Sequence, residues 1–160
     1  MTLEEEVVSL LKKYDLTITT AESCTGGLIS ATLINVSGVS EFLKEAYVTY
    51  SDEAKIKLLG VDPEIIDIFT VVSAPTAKAM AIGGAAAAKT DICISATGIA
   101  GPDGGNETQP VGLVYIGCFF KGEATSRKFI FDGDRMSVRE QTVEEALKLA
   151  KEVILDEVEK

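Results

Sequence analysis

The sequence predicts an α/β fold: one domain over residues 1–160, layered α/β/α, around a mixed sheet of about five strands. Three observations carry this. Short β-branched runs alternate with segments of helical periodicity, which implies helices layered on a sheet. A Lys121-Gly122 step between two apolar runs signals a hairpin, which makes the sheet mixed rather than all parallel. The chain has 160 residues, 46% of them apolar and 25% charged, enough for one core.

The elements follow in order. Leu3, Val7, Leu10, Leu11 and Tyr14 recur at helical spacing and predict an N-terminal amphipathic helix. Leu16-Thr17-Ile18-Thr19-Thr20 is β-branched and predicts a strand. Gly26-Gly27 opens a second helix through about Ile34, and residues 35–40 read as a loop. Residues 46–50 predict a second strand. Ser51 is placed to cap a helix that runs to Leu59, with Gly60 as its stop. Asp62-Pro63-Glu64 starts a short helix. Ser73 and Pro75 start a long Ala-rich one, and in it Gly83-Gly84 imply close approach to a neighbouring element. Residues 91–97 predict a buried strand and residues 98–108 a glycine-rich loop. Residues 111–120 and 124–131 predict the hairpin strands, and a last helix covers about 137–157.

The net charge of −10 argues against a broad surface for nucleic acid or an anionic membrane. A local cationic pocket for a small phosphorylated ligand remains compatible with it. The three cysteines, Cys24, Cys93 and Cys118, are odd in number and lack metal-type spacing, so a disulfide framework is not expected and a reducing cytoplasm fits. The first residues are acidic, unlike a secretory leader, and no apolar run approaches the ~20 residues of a membrane span. The most informative feature is that the chain has no histidine. Ser-His-Asp and Cys-His devices and His-ligated metals are excluded, so a nucleophilic hydroxyl must exchange its proton with Lys, Tyr, Asp, Glu or water.

Three segments carry candidate chemistry. Glu22-Ser23-Cys24-Thr25-Gly26-Gly27 follows a strand and opens a helix, where a hydroxyl can attack a carbonyl while adjacent N–H groups hold the oxyanion. A Ser/Thr cap with packing glycines accounts for the same residues equally well. In Tyr50-Ser51-Asp52-Glu53-Ala54-Lys55, Lys55 is either a base for a nearby serine or a solvent-facing lysine, the commoner case. Thr97-Gly98-Ile99-Ala100-Gly101-Pro102-Asp103-Gly104-Gly105 has four glycines and a proline after a buried strand. It either presents N–H groups to an anion or forms a structural turn. It is neither a Walker loop nor a dinucleotide fingerprint. Arg135 and Arg139, near the start of the last helix, are candidates for anion binding or for plain surface solvation.

Together, residues 20–27, 48–55, 72–73, 97–105, 110–112 and 133–135 resemble the C-terminal domain family of the competence/damage-inducible protein CinA. The resemblance covers most of the chain and implies the stand-alone form, without the N-terminal domain of longer members. It implies nicotinamide-nucleotide amidase activity: nicotinamide mononucleotide (NMN) and water give nicotinic acid mononucleotide and ammonia, with no metal or organic cofactor. It further implies Ser23 as nucleophile, Lys55 as general base and Tyr50 as an aid to proton transfer or orientation. Thr25, Gly26, Gly27, Thr97, Gly98 and Gly101 are carried over as substrate-binding residues, and Arg135 as a contact to the substrate or its phosphate. A homodimer or larger homo-oligomer is expected on the same ground. Asp52 departs from the family's usual Asn and puts a negative charge beside the expected base. Two other functions stay open: a non-catalytic nucleotide-binding or competence/damage regulatory module, and an amidase for another pyridine or ribosyl amide.

Overall fold

The computed structural model describes residues 1–159. Twelve segments follow the chain: α1 (Leu3–Tyr14), β1 (Ile18–Glu22), α2 (Leu28–Ile34), a 3-10 turn (Val39–Glu41), β2 (Tyr47–Val48), α3 (Asp52–Leu59), α4 (Pro63–Phe69), α5 (Ala74–Ala88), β3 (Ile92–Gly98), β4 (Leu113–Phe120), β5 (Glu123–Ile130) and α6 (Arg135–Val158). The five strands form one sheet in the order β2-β1-β3-β4-β5. β2, β1 and β3 run parallel, while β4 and β5 add antiparallel. The mixed α/β class and the hairpin are as the sequence predicts.

Strand alternation assigns the two faces. Ile18, Ile92, Ile94, Ala96, Val114 and Ile116 enter one core, together with α1, α2 and α6. Ala21 and Cys93 point the other way, into a smaller core with Leu59 of α3 and Met80 and Ala85 of α5. Helix starts are set by the side chains expected to cap them. Ser51 Oγ accepts from Ala54 N at 3.0 Å, and Ser73 Oγ from Thr76 N at 3.3 Å.

Boundaries differ from expectation in four places. β1 lies two residues later than the β-branched run, because Ile18 pairs with Ile92 and the ladder continues to Glu22. β2 keeps only Tyr47 and Val48, the stretch that pairs with β1. The segment expected as a loop contains the 3-10 turn. α6 begins at Arg135 rather than Ser137, since Asp134 accepts from Ser137 N at 2.9 Å and is the cap.

Gly83 explains why glycines sit mid-helix in α5. A Cβ there would lie 1.8 Å from the carbonyl oxygen of Leu59. α5 and α3 therefore touch backbone to backbone, which brings α3 and its Lys55 down onto the sheet. The three cysteines are buried and free. Among the described residues, no helix is long and apolar enough to cross a membrane.

Candidate active site

The carboxyl ends of β1 and β3 open into a cavity of about 330 Å³, within the size range of small-molecule sites. Ser23 stands at its floor. Its N–H donates to Ala96 O at 3.0 Å, continuing the β1–β3 ladder by one bond. The chain then turns sharply: Gly26 N–H donates back to Ser23 O at 3.0 Å, and Gly26 and Gly27 take φ of +58° and +105°. L-residues with a Cβ rarely adopt such values, so both positions need glycine.

A buried carboxylate and a half-buried guanidinium brace this turn. Glu22 is fully buried, and its carboxylate accepts four hydrogen bonds: from Thr20 Oγ1 at 2.9 Å, Thr25 Oγ1 at 2.6 Å, Ile29 N at 2.8 Å and Ser30 N at 3.0 Å. A carboxylate at a helix N-terminus is favoured there by both charge and donors. From α6, Arg139 donates through Nε to Cys24 O and through Nη2 to Thr25 O, each at 3.0 Å. The loop that carries Ser23 is thus clamped from below and from the side.

Lys55 resolves its open alternative in favour of the interior. The residue is 1% exposed. Its Nζ donates to Ser23 Oγ at 3.1 Å and to Thr49 O at 2.8 Å. Thr49 is itself fixed by its N–H to Glu22 O at 2.8 Å. Burial holds the Lys55 ammonium below its ordinary pKa, while the negative charge of Asp52 pushes it back up. Cys24 also lines the cavity, but burial drives its thiol up to about 12. At neutral pH the thiol stays protonated, and of the two neighbours it is Ser23 whose side chain takes the hydrogen bond from Lys55 Nζ.

The remaining expected residues divide. Thr97, Gly98 and Gly101 line the cavity, as does Arg135. Thr97 turns its hydroxyl into the wall, donating to Val71 O at 2.9 Å. Arg135 donates to Gly101 O at 2.7 Å and to Tyr50 OH at 3.0 Å, so it ties the glycine loop to the rim. Tyr50 is 63% exposed, and its hydroxyl is engaged by Arg135 rather than by Ser23 or Lys55. This places it at the rim of the cavity. Thr25, Gly26 and Gly27 lie behind the cavity and do not line it. Thr25 is buried against Glu22, Gly26 faces Arg139 and Gly27 faces Val48.

The start of α2 departs from expectation. Its N–H groups are all spent: Leu28 on Thr25 O, Ile29 and Ser30 on Glu22, and Ala31 on Gly27 O. The expected helix-terminus anion site is filled by the protein's own carboxylate. The bracing roles of Glu22 and Arg139 and the apolar wall of Val71 and Val72 are not legible in the sequence pattern. The one available signal for Glu22 was a carboxylate beside four β-strand residues, a position that needs donors if it is buried.

The arrangement sets a buried lysine against a serine in a cavity at the strand ends of a layered α/β protein. The chain belongs to the CinA C-terminal domain family, whose model matches residues 1–154. It is 47% identical over 154 residues to a putative competence-damage inducible protein of Caldicellulosiruptor bescii and 51% identical over 154 residues to a CinA-like protein of Dictyoglomus thermophilum. Each match covers 96% of this chain and 38% of the relative, so the chain spans little more than a third of their length. The fold is similar to the crystal structure of a competence or damage-inducible protein from Enterobacter asburiae, with TM-score 0.91 and 38% identity over 95% of this chain and 96% of that one. A CinA superfamily protein from Klebsiella pneumoniae gives TM-score 0.92 and 33% identity over 98% and 99%.

Proposed function

We propose that the protein is an NMN amidohydrolase, with Ser23 as nucleophile and Lys55 as its base. The observation that carries this is the 3.1 Å contact between Lys55 Nζ and Ser23 Oγ in a chain without histidine. Burial lowers the pKa of Lys55 below its ordinary value, which favours the neutral state a base needs. Ser23 Oγ attacks the carboxamide carbon as its proton passes to Nζ. The tetrahedral intermediate collapses, the C–N bond breaks, and Lys55 returns the proton to the leaving ammonia. Water then attacks the acyl-serine, with Lys55 again as base.

The cavity walls suit such a substrate. Val71, Val72 and Ile99 offer an apolar side for a flat ring. The Arg135 guanidinium pairs with no carboxylate among the described residues and is available to a phosphate. We place the enzyme in the cytoplasm, where its three free thiols stay reduced, and as a homo-oligomer.

The test is ammonia release from NMN, followed for the wild type and for Ser23→Ala and Lys55→Ala. Both variants should lose nearly all turnover and to a similar degree, because residues acting as one unit are non-additive. Full activity in Ser23→Ala refutes the assignment. Tight NMN binding without turnover in the wild type points instead to a nucleotide-binding module. Faster hydrolysis of nicotinamide or its riboside than of NMN points to a different amide substrate.

A further inference from the structure

We propose that the oxyanion formed on attack by Ser23 is received by the main-chain N–H of Gly98, at the end of β3, and not by helix α2. The inference rests on the amidase reading and supplies the component that reading lacks. An acyl-transfer site needs a fixed donor where negative charge develops. The α2 donors are consumed, and so are two in the nucleophile loop: Ser23 N–H goes to Ala96 O and Gly26 N–H to Ser23 O.

The sheet identifies a free donor. Along β3, every second residue donates to β1, starting with Ile92 N–H to Thr17 O at 3.0 Å and continuing in register through Ile94 and Ala96. Gly98 is next in that alternation, and its acceptor would be the carbonyl of Ser23. That carbonyl has turned into the loop, where it accepts from Gly26. On the other side, Ile99 N–H donates to Leu113 O at 2.9 Å, so β4 is served by the odd-numbered residues and Gly98 faces β1. Gly98 N–H therefore points toward Ser23 with no acceptor among the described residues, and Gly98 lines the cavity. A main-chain donor left unpaired at such a place calls for a ligand atom.

The residue type fits. A Cβ on Gly98 would lie 2.6 Å from Val114 Cγ2 and 2.8 Å from Leu113 O. Any side chain would push β3 off β4 and re-aim the N–H. In the reaction, Ser23 Oγ bonds to the carbonyl carbon, the C=O π pair moves onto oxygen, and the serine proton goes to Lys55 Nζ. The Gly98 N–H holds the resulting O⁻ until the pair returns and ammonia leaves.

The test replaces that one N–H by an ester oxygen. The full chain is assembled from residues 1–92, 93–117 and 118–160, with Cys93 and Cys118 as ligation junctions and glycolate in place of Gly98. An all-amide assembly and an ester at position 96, which removes a ladder bond instead, are the controls, and thermal unfolding verifies that each is folded. The position 98 ester should lose ~10²–10³ in kcat with KM for NMN little changed, as for removal of an oxyanion donor. The position 96 ester should lose stability and keep kcat. A kcat loss below about tenfold for a folded position 98 ester overturns the assignment.

p-Nitrophenyl acetate, which acylates Ser23 through the same oxyanion, is run in parallel with Ser23→Ala as the blank. If NMN is not hydrolysed, the amidase reading falls, and the Ser23-dependent release of p-nitrophenolate still decides Gly98. Absence of Ser23-dependent release from either compound overturns both.

Discussion

Gly83→Ala sets two effects of opposite sign against each other. Helix propensity alone favours alanine inside α5 by about 1 kcal/mol. Packing opposes it. The new Cβ would sit 1.8 Å from Leu59 O and 2.8 Å from Leu59 C, both backbone atoms that cannot rotate away. Restoring ordinary contact, from 1.8 to 3.4 Å, requires α3 and α5 to part by about 1.6 Å at this point. Overpacking of this kind costs ~1–3 kcal/mol, and a backbone clash belongs at the upper end. The expected net loss is about 2 kcal/mol, or a Tm lower by about 4–8 °C for a chain of this size.

Lys55 lies one turn before Leu59 on the same helix, so its 3.1 Å contact with Ser23 stretches beyond hydrogen-bond reach. NMN turnover should then fall by roughly 10²-fold. Thermal unfolding and ammonia release together read both effects. Gly84→Ala is the comparison. Its Cβ meets the Cys93 thiol at 2.6 Å, so it should destabilise while leaving α3, and hence turnover, nearly unchanged. A higher Tm for Gly83→Ala, as propensity alone predicts, refutes the argument that α5 carries glycine to let α3 approach.

Further outcomes follow from the site's charges. kcat/KM for NMN should rise with pH through the lowered pKa of Lys55, and Asp52→Asn should move the midpoint lower still, since Asp52 favours the protonated form. Stability carries the same sign. Between the lowered folded pKa and the ordinary 10.5, the unfolded chain holds a proton that the folded chain does not, so stability rises with pH across that window. Denaturant titrations should show that slope in the wild type and its loss in Lys55→Met. Glu22→Gln puts an amide NH₂ against donors that need an acceptor, and should cost ~2–4 kcal/mol in urea unfolding. Arg135→Ala should raise KM for NMN about tenfold or more while changing that for nicotinamide riboside little; equal effects on both remove the phosphate role.

The class of fold was legible because it rests on periodicity and on one hairpin signal, both local. The position of Ser23 was legible for the same reason, being the hydroxyl where a strand gives way to glycines. The burial of Lys55 was not. In Asp-Glu-Ala-Lys-Ile-Lys-Leu-Leu, positions 55 and 57 look alike, yet Lys55 is sealed and Lys57 is exposed. What separates them is the approach of α5 to α3 at Gly83, a contact between residues 24 positions apart. Likewise, the glycine turn was visible as an anion site, but its helix donors are taken by Glu22, whose burial depends on both flanking strands.

The two illegible features explain each other. Glu22 consumes the donors of α2 and, through its own carbonyl, fixes Thr49. Thr49 O in turn takes one hydrogen bond from Lys55 Nζ and leaves the amine aimed at Ser23. The carboxylate of Glu22 thus occupies the α2 donors, while the main-chain carbonyl of the same residue, through Thr49, helps to hold Lys55 Nζ beside Ser23. In the proposed reaction a developing anion then has to be met at the strand end rather than at the helix, because the helix donors are already paired.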